Sequence, residues 1–302
     1  MSDSRRGLLL GFLAYLLWGA FPLYWPLLHP SGPVEILAHR MVWSLVVMGV
    51  LLVALRRTAA LRAVLRSRRT SLLLVVAAIT ITINWGTYIY GVNSDRVVET
   101  SLGYFINPLV TVLLGVLVLG ERLRPAQWVA LGIGFLAVAV LTADYGRPPV
   151  IALVLAFSFG TYGLAKKSAN VGAIESLTFE TATIAPFALG YLVWLGAAGR
   201  AHFLGDGAGH VTLLVASGIV TAIPLLCFGA AATRIPMTTL GLLQYLTPTL
   251  QFAFGITLLG EHMPPGRWIG FGLVWLALVV FSVEAVRNHR QELARSAEAA
   301  AV

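Results

Sequence analysis

The feature that most constrains this chain is a series of ten apolar runs joined by short connectors. A helix needs about 20 consecutive, mostly apolar residues to cross the hydrocarbon core of a membrane. The runs have this length, and the connectors are rich in Gly and Pro. The sequence therefore predicts an all-α integral membrane protein with ten transmembrane helices. The predicted spans are residues 7–27, 34–55, 72–92, 100–119, 126–143, 149–165, 176–196, 211–232, 239–259 and 267–286.

The composition supports the membrane assignment and argues against a nucleic-acid partner. Hydrophobic residues make up 58% of the chain and charged residues 11%, whereas a soluble domain carries about 25% charged residues. The net charge is +8, but the Lys and Arg residues other than Arg40 lie in the tails and in connectors between apolar runs, and they form no basic stripe. We therefore expect membrane lipid, and no nucleic acid, around this chain.

The basic residues also predict the orientation. An even number of spans places both termini on one side of the membrane. The tails and connectors of that side hold sixteen Lys and Arg residues, and those of the other side hold four. Because basic loops stay in the cytoplasm, we expect a multi-pass protein with both termini cytoplasmic.

The chain repeats itself after 140 residues. This shift places Pro108 on Pro248, Trp128 on Trp268, and Leu119-Gly120-Glu121 on Leu259-Gly260-Glu261. Apolar composition alone would match Leu and Ala, but not Pro, Trp and Gly-Glu, so the match indicates an internal repeat. The predicted units are residues 1–145 and 146–302, the second with a short cytoplasmic tail. Five spans per unit, an odd number, predict that the two units are inverted, which is a recurrent basis for alternating access in secondary transporters.

These residues carry a family resemblance. The two proline-containing spans that end in Leu-Gly-Glu resemble the EamA repeats of the drug/metabolite transporter superfamily. Further stretches are similar to its RarD-type branch, which is named for chloramphenicol sensitivity. The resemblance implies a permease of the bacterial inner membrane, of a kind often described as exporting drugs or metabolites. The stretches include Glu35-Ile36-Leu37-Ala38-His39-Arg40, Ser101-Leu102-Gly103-Tyr104-Phe105-Ile106-Asn107-Pro108-Leu109 and Pro224-Leu225-Leu226-Cys227-Phe228.

The paired prolines predict where a solute would bind. Proline inside a span removes a backbone hydrogen bond, and interrupted helices at corresponding places of two halves indicate a binding site. Pro108 and Pro248 are therefore predicted hinges, although kinks that only shape the packing would show the same pattern. The polar side chains around them are predicted to line the cavity: Tyr104, Asn107, Gln244, Tyr245, Thr247 and Gln251.

Four other residues within the spans are candidates for contact with the solute. Arg40 and Glu180 occupy equivalent positions of the repeat, and a charge inside a membrane is a functional candidate by default. A structural ion pair or a contact that locks two helices together is the alternative for both. Asn84 and Tyr88 are four residues apart and share a helix face, which fits either a cavity wall or an interhelical hydrogen bond. Glu35 is interpreted as an interfacial residue near the outer end of its span.

No sequence motif for an enzyme accompanies these features. The chain has no Gly-x-x-x-x-Gly-Lys-Ser/Thr, His-Glu-x-x-His or Gly-x-Ser-x-Gly pattern, so no ATP-driven step, catalytic residue, metal or cofactor is predicted. We expect a secondary transporter for small organic solutes such as drugs or amino-acid-like metabolites. A passive channel or facilitator is the alternative, and an intramembrane enzyme is less favoured. If transport is coupled to protons, Glu180 is the candidate carboxylate.

Overall fold

The computed structural model describes residues 3–119, 123–232, 234–235 and 243–300, and each regular element in these ranges is a helix. A short 3₁₀ helix, Trp25–Leu28, follows α2. The α-helices are α1 Asp3–Gly19, α2 Phe21–Tyr24, α3 Pro33–Ala54, α4 Thr58–Arg66, α5 Arg68–Asn93, α6 Val97–Leu119, α7 Pro125–Tyr145, α8 Val150–Ala169, α9 Ala173–Ala197, α10 Gly207–Ala232, α11 Leu246–Thr257 and α12 Pro265–Ala300.

Seven of these helices are long and apolar enough to cross a membrane: α3, α5, α6, α7, α9, α10 and α12. An eighth candidate combines α1 with α2 and the 3₁₀ helix, which are bent by 43° against each other. The bend falls where Pro22 and Pro26 begin the two short helices, because proline has no N–H to continue the helix before it. The predicted first span is therefore a broken helix.

The two remaining predicted spans are not described as helices of spanning length. The apolar part of α8 covers Val150–Lys166, which is shorter than the about 20 residues that cross a membrane. The predicted span 239–259 corresponds to α11, which has 12 residues, while residues 239–242 lie outside the described part of the chain. The described residues thus contain seven or eight helices of spanning length, against ten predicted spans.

The outer surface of the bundle is apolar. Large hydrophobic side chains that point away from the protein include Leu117, Phe135, Phe187 and Val193, each at least 70% exposed. A protein in water would bury such side chains, whereas hydrocarbon tails solvate them. This surface therefore matches the lipid environment that the composition predicts.

The helices interlock in a pattern that the 140-residue shift reproduces. Under this shift the α5–α8 contact corresponds to the α10–α1 contact, and the α6–α8 contact corresponds to the α11–α1 contact. The α3–α10 contact likewise corresponds to the α9–α5 contact. In the pairs α3–α9, α6–α11 and α7–α12, a helix of the first half packs on the helix at the equivalent position of the second half. Each half thus completes its packing with helices of the other.

Two glycines lie where the backbone of another helix approaches closely. A Cβ added to Gly218 of α10 would lie 2.5 Å from the carbonyl carbon of Trp43 in α3. A Cβ on Gly103 of α6 would lie 2.8 Å from the carbonyl oxygen of Ala152 in α8. Small residues at such crossings allow the backbones to pack closely within a membrane.

Two segments differ from the expectation from sequence. Helix α4 lies in the connector between the second and third spans, where no helix was predicted. It carries Arg62 and Arg66 and buries Val64, as an amphipathic helix at a membrane surface does. At the other end of the chain α12 continues as far as Ala300, well beyond the predicted end of its span at residue 286.

Candidate functional site

Arg40 is a deeply buried charged side chain. It lies in α3, about 5 Å along the axis from the helix midpoint, and is 2% exposed. Its guanidinium carbon lies 3.9 Å from the ring centroid of Trp85, 4.9 Å from that of Trp25 and 5.6 Å from that of Phe21. These three rings form the aromatic cage, the name used below for this set.

The charge of Arg40 is not balanced by an acidic partner. Its Nε donates a hydrogen bond to Thr221 Oγ1 of α10 at 2.8 Å, and its Nη1 is buried without an acceptor. No described carboxylate forms an ion pair with Arg40. A guanidinium stays protonated in proteins, and an unpaired buried charge costs several kcal/mol. The cation–π contacts offset only part of that cost.

Three tyrosine side chains also lie in the region of the guanidinium. The hydroxyls of Tyr24, Tyr88 and Tyr104 lie within electrostatic range of Arg40, and the rings of Tyr88 and Tyr104 are 5.7 Å apart. Tyr104 donates to Asn84 Oδ1 at 3.2 Å, whereas the buried Tyr88 hydroxyl has no partner. Of the three hydroxyls, that of Tyr88 is thus the one without a described partner.

Asn84 has the interhelical role that was the alternative in the sequence analysis. Its amide nitrogen donates to the Leu155 carbonyl at 2.9 Å and to Ser158 Oγ at 3.1 Å, both in α8. It also accepts the bond from Tyr104. Asn84 therefore joins three helices and orients the Tyr104 hydroxyl.

Glu180 has the partner that Arg40 lacks. Its carboxylate accepts hydrogen bonds from Lys166 Nζ at 2.8 Å and from Tyr162 Oη at 3.4 Å. The two charges at equivalent positions of the repeat do not pair with each other, and only Glu180 is neutralised. A row of aromatic rings connects the regions of Arg40 and Glu180. The ring centroids of Tyr104 and Phe159 are 6.2 Å apart, and those of Phe159 and Tyr162 are 5.9 Å apart.

The residues predicted around the second proline contact other helices than those that hold Thr221 and Trp85. Thr247 donates to the Tyr15 carbonyl at 2.8 Å and Gln251 donates to the Trp18 carbonyl at 3.2 Å, so both connect α11 to α1. Tyr245 packs on the core around α6 and α12.

Two further predicted residues of this set, Asn107 and Gln244, differ in their burial. Asn107 Oδ1, like Gln251 Oε1, is buried without a partner. Gln244 is partly buried, next to the described start of α11.

The two prolines occupy different positions in their helices. Helix α6 continues through Pro108, whereas Pro248 lies in the first turn of α11, where a missing N–H costs little. Helices α6 and α11 pack on each other. That Pro108 and Pro248 act as hinges remains a prediction.

Glu35 lies in the first turn of α3, near the end of its predicted span, and is buried by protein. It is 2% exposed, and its carboxylate accepts hydrogen bonds from the backbone N–H of His202 at 2.8 Å and from His202 Nδ1 at 2.9 Å. His202 belongs to the connector after α9, and Phe203 of that connector stacks on His39 at 4.6 Å. We call the Glu35–His202 contact the Glu35 latch.

The repeat places a second contact of this kind at the other end of the bundle. Glu175, the counterpart of Glu35, is buried and lies 3.4 Å from Arg57 in the connector after α3. We call this contact the Glu175 latch. Because each glutamate at the start of one helix reaches the connector that follows the other helix, α3 and α9 are antiparallel. The latches are therefore separated by the length of α3, about 33 Å for its 22 residues.

Glu261, the last residue of the second Leu-Gly-Glu motif, binds the start of α6. Gly260 has a φ of +66°, and Glu261 then accepts hydrogen bonds from the backbone N–H groups of Val97 and Val98, the first residues of α6. A carboxylate is stabilised at a helix N-terminus. Burial nevertheless raises the pKa of Glu261 to about 7, against the lowering effect of the two N–H groups. Its counterpart in the first half, Glu121, lies outside the described residues.

The sequence analysis did not identify several important residues. The aromatic cage, Thr221, Lys166 and His202 come from distant parts of the chain, and no spacing connects them to Arg40, Glu180 or Glu35. One signal was available, because Glu35 and Glu175 are themselves related by the 140-residue shift.

Comparison with known proteins identifies the family. The model of the EamA-like transporter family matches twice, at residues 5–143 and 148–283. Protein RarD of Streptomyces exfoliatus is 59% identical over 99% of this chain and 95% of its own length. Protein RarD of Escherichia coli K12 is 40% identical over 96% and 98%. The uncharacterized transporter YojE of Bacillus subtilis is 40% identical over 96% and 97%.

A solved crystal structure shares the fold. It aligns with a TM-score of 0.59 over 93% of this chain and 98% of its own, at 21% identity. The two matches to the family model correspond to the repeat found in the sequence, and the relatives extend over nearly the whole chain. The chain belongs to the EamA-like transporter family, in its RarD-type branch.

Proposed function

We propose that this protein is a secondary transporter of the bacterial inner membrane that moves small organic solutes by alternating access. In this proposal ten spans form two inverted five-helix units, residues 1–145 and 146–302, with both termini in the cytoplasm. Membership of a family of transporters supports the general assignment. The relatives are named as transporters or as RarD.

The observation that carries the mechanism is the pair of latches at opposite ends of α3 and α9. Between them lies Arg40, inside the aromatic cage. A carrier needs a site that opens to one side at a time, and equivalent closures at the two ends provide this. Release of the Glu35 latch would free the connector after α9, and release of the Glu175 latch would free the connector after α3.

The exchange of helix contacts between the halves supports the same mechanism. Because the helix pairs with the most extensive packing correspond to another pair or to themselves under the repeat shift, we infer that the two halves can exchange conformations. One exchange turns a bundle that is open at one end into a bundle that is open at the other. The antiparallel direction of α3 and α9 fits inverted units.

The solute site of this proposal is the region of Arg40, Asn84, Tyr88 and Tyr104. The polar set at α6 and α11, which includes Asn107, Tyr245, Thr247, Gln251 and Gln244, forms a second wall that moves with the Pro108 and Pro248 helices. Glu180, paired with Lys166, links α9 to α8 and is placed outside the solute site.

A counterflow experiment with the full chain in liposomes tests the carrier. Vesicles are loaded with unlabelled L-phenylalanine, chloramphenicol or benzoate, and uptake of the same labelled compound is measured. A carrier that exchanges solutes gives faster labelled uptake into loaded vesicles than into empty ones. Uptake that is equally fast in both, and proportional to concentration without saturation, would instead identify a channel or facilitator. Chloramphenicol is included because one relative, from Pseudomonas aeruginosa, is named chloramphenicol-sensitive protein RarD.

A further inference from the structure

Arg40 and Glu180 occupy the same position in the two halves, but their surroundings differ. Glu180 forms an ion pair with Lys166 at 2.8 Å, whereas no described acidic group pairs with Arg40. A protein that needed these charges only for packing would neutralise both in the same way. The contrast indicates that the partner of Arg40 is supplied from outside the chain.

The chemistry around Arg40 defines that partner. Nη1 of Arg40 and the hydroxyl of Tyr88 are both buried and both lack a hydrogen-bond partner. Aromatic faces balance part of a positive charge, but they accept no hydrogen bond in the plane of a guanidinium N–H. A carboxylate would satisfy Nη1 and the Tyr88 hydroxyl and would neutralise the guanidinium.

The same surroundings restrict the charge and shape of the solute. A single guanidinium balances one negative charge, and a dianion would leave excess charge in a region of low dielectric. The described residues around Arg40 include no carboxylate to pair with an ammonium group, so a zwitterion would bury an unpaired charge. The rings of Trp85, Trp25, Phe21, Tyr88 and Tyr104 suit a flat apolar body.

We propose that Arg40 binds the carboxylate of a small organic monoanion, whose apolar or aromatic body packs against the surrounding rings. This inference rests on the proposed transport function, since it names the solute class of the same site. Thr221 fixes the guanidinium through Nε at 2.8 Å, which keeps Nη1 available.

The test compares matched pairs of compounds that differ only in charge. The purified full chain in lipid nanodiscs is titrated with benzoate, phenylacetate and indole-3-acetate, and with benzamide, phenylacetamide and indole-3-acetamide. Ligands that bind the folded state raise the thermal midpoint. We expect the carboxylates to raise it and the amides to have no effect at equal concentration. Equal shifts for acids and amides, or no shift with any of the three acids, would overturn the proposal.

Variants assign the effect to Arg40. In Arg40→Gln we expect at least about tenfold weaker carboxylate binding, which corresponds to about 1.4 kcal/mol. Arg40→Lys retains the charge without the planar fork and should bind with intermediate affinity. Unchanged carboxylate binding in Arg40→Gln would overturn the proposal. Because that variant removes a buried group and its folding is at risk, Tyr88→Phe provides a second measurement: it retains the ring and should weaken carboxylate binding several-fold but leave the thermal midpoint without ligand unchanged.

Two further measurements test the charge of the solute and separate the anion site from the transport function. Phenyl phosphate carries a second negative charge, and its tighter binding than benzoate would overturn the monoanion class. Flux into liposomes distinguishes this inference from the transport function. Counterflow of neutral solutes with no response to carboxylates would retain the transporter and overturn the anion site. Carboxylate binding without counterflow would retain the anion site and overturn the transporter.

Discussion

The Glu35 latch gives the sharpest prediction for the conformational cycle. Glu35→Gln retains the size of the side chain and one carbonyl oxygen but removes the negative charge. The variant therefore retains an acceptor for the His202 N–H and loses the ionic acceptor for Nδ1. If the latch closes one end of the bundle, the connector of residues 198–206 should open more often in the variant.

The free energy that the variant should lose follows from the two hydrogen bonds, at 2.8 and 2.9 Å, to a carboxylate that is 3% exposed. A hydrogen bond to a charged group contributes about 1.5–3 kcal/mol and a neutral one about 0.5–1.5 kcal/mol. Because the His202 side chain is 39% exposed, solvent screening reduces the difference for the Nδ1 bond. We expect a loss of about 1–3 kcal/mol, which corresponds to about 5–150-fold more frequent opening.

Hydrogen exchange of the His202 amide measures this opening, because that N–H is itself bonded to Glu35. The matched control is Glu175→Gln, which changes the latch at the other end. The Glu175 contact is longer, at 3.4 Å, and Arg57 is 59% exposed, so this second latch contributes less than about 1 kcal/mol. Exchange in residues 198–206 should rise in Glu35→Gln and stay at the wild-type rate in Glu175→Gln. Wild-type exchange in Glu35→Gln, or an equal rise in both variants, would refute the latch.

Three other predictions concern stability, with the thermal midpoint in detergent as the measurement. Gly218→Ala should destabilise the protein by about 1–3 kcal/mol because the helix crossing leaves no room for a Cβ, whereas Gly49→Ala, with nothing within 4 Å, should not; equal midpoints would contradict the crossing. Burial raises the pKa of Glu261 to about 7, so the folded chain retains a proton that the unfolded chain has lost. The resulting stabilisation is complete below about pH 4.5 and disappears as the pH rises through 7. The thermal midpoint should therefore fall less between pH 5 and 8 in Glu261→Gln than in the wild-type protein. Breaking the Glu180–Lys166 pair from either side should cost up to about 3–5 kcal/mol, less for the partly exposed Lys166. The double variant Glu180→Gln with Lys166→Met should recover part of this loss, and additive losses would show that the pair is not a structural unit.

The environment and the general fold follow from the sequence by itself. A bilayer requires each crossing segment to satisfy its own backbone hydrogen bonds and to present about 20 apolar residues to lipid. Both requirements are local, so the apolar runs show where the helices are. The repeat is also visible without coordinates, because matched Pro, Trp and Gly-Glu do not arise from apolar composition. The family assignment followed from the same residues and is confirmed.

Local pattern was less informative where a helix is broken or short. The first apolar run contains a 43° bend, because Pro22 and Pro26 interrupt a segment whose average hydropathy is uninterrupted. Helix α4 was missed because its amphipathic pattern is confined to nine residues among many arginines. In both cases the length and hydropathy of a run do not determine how the backbone inside it is directed.

The partners of the polar residues are determined only by the tertiary structure. Arg40 contacts Thr221 from 181 positions away, and Glu35 contacts His202 from 167 positions away. From the sequence, solute contact and a structural contact were equally supported for both Arg40 and Glu180. Only the packing shows that Lys166 lies beside Glu180 and that aromatic rings surround Arg40. The bilayer determines how each helix is built from its own residues, but the neutralisation of a buried charge depends on which helices pack together, and that is a property of the whole fold.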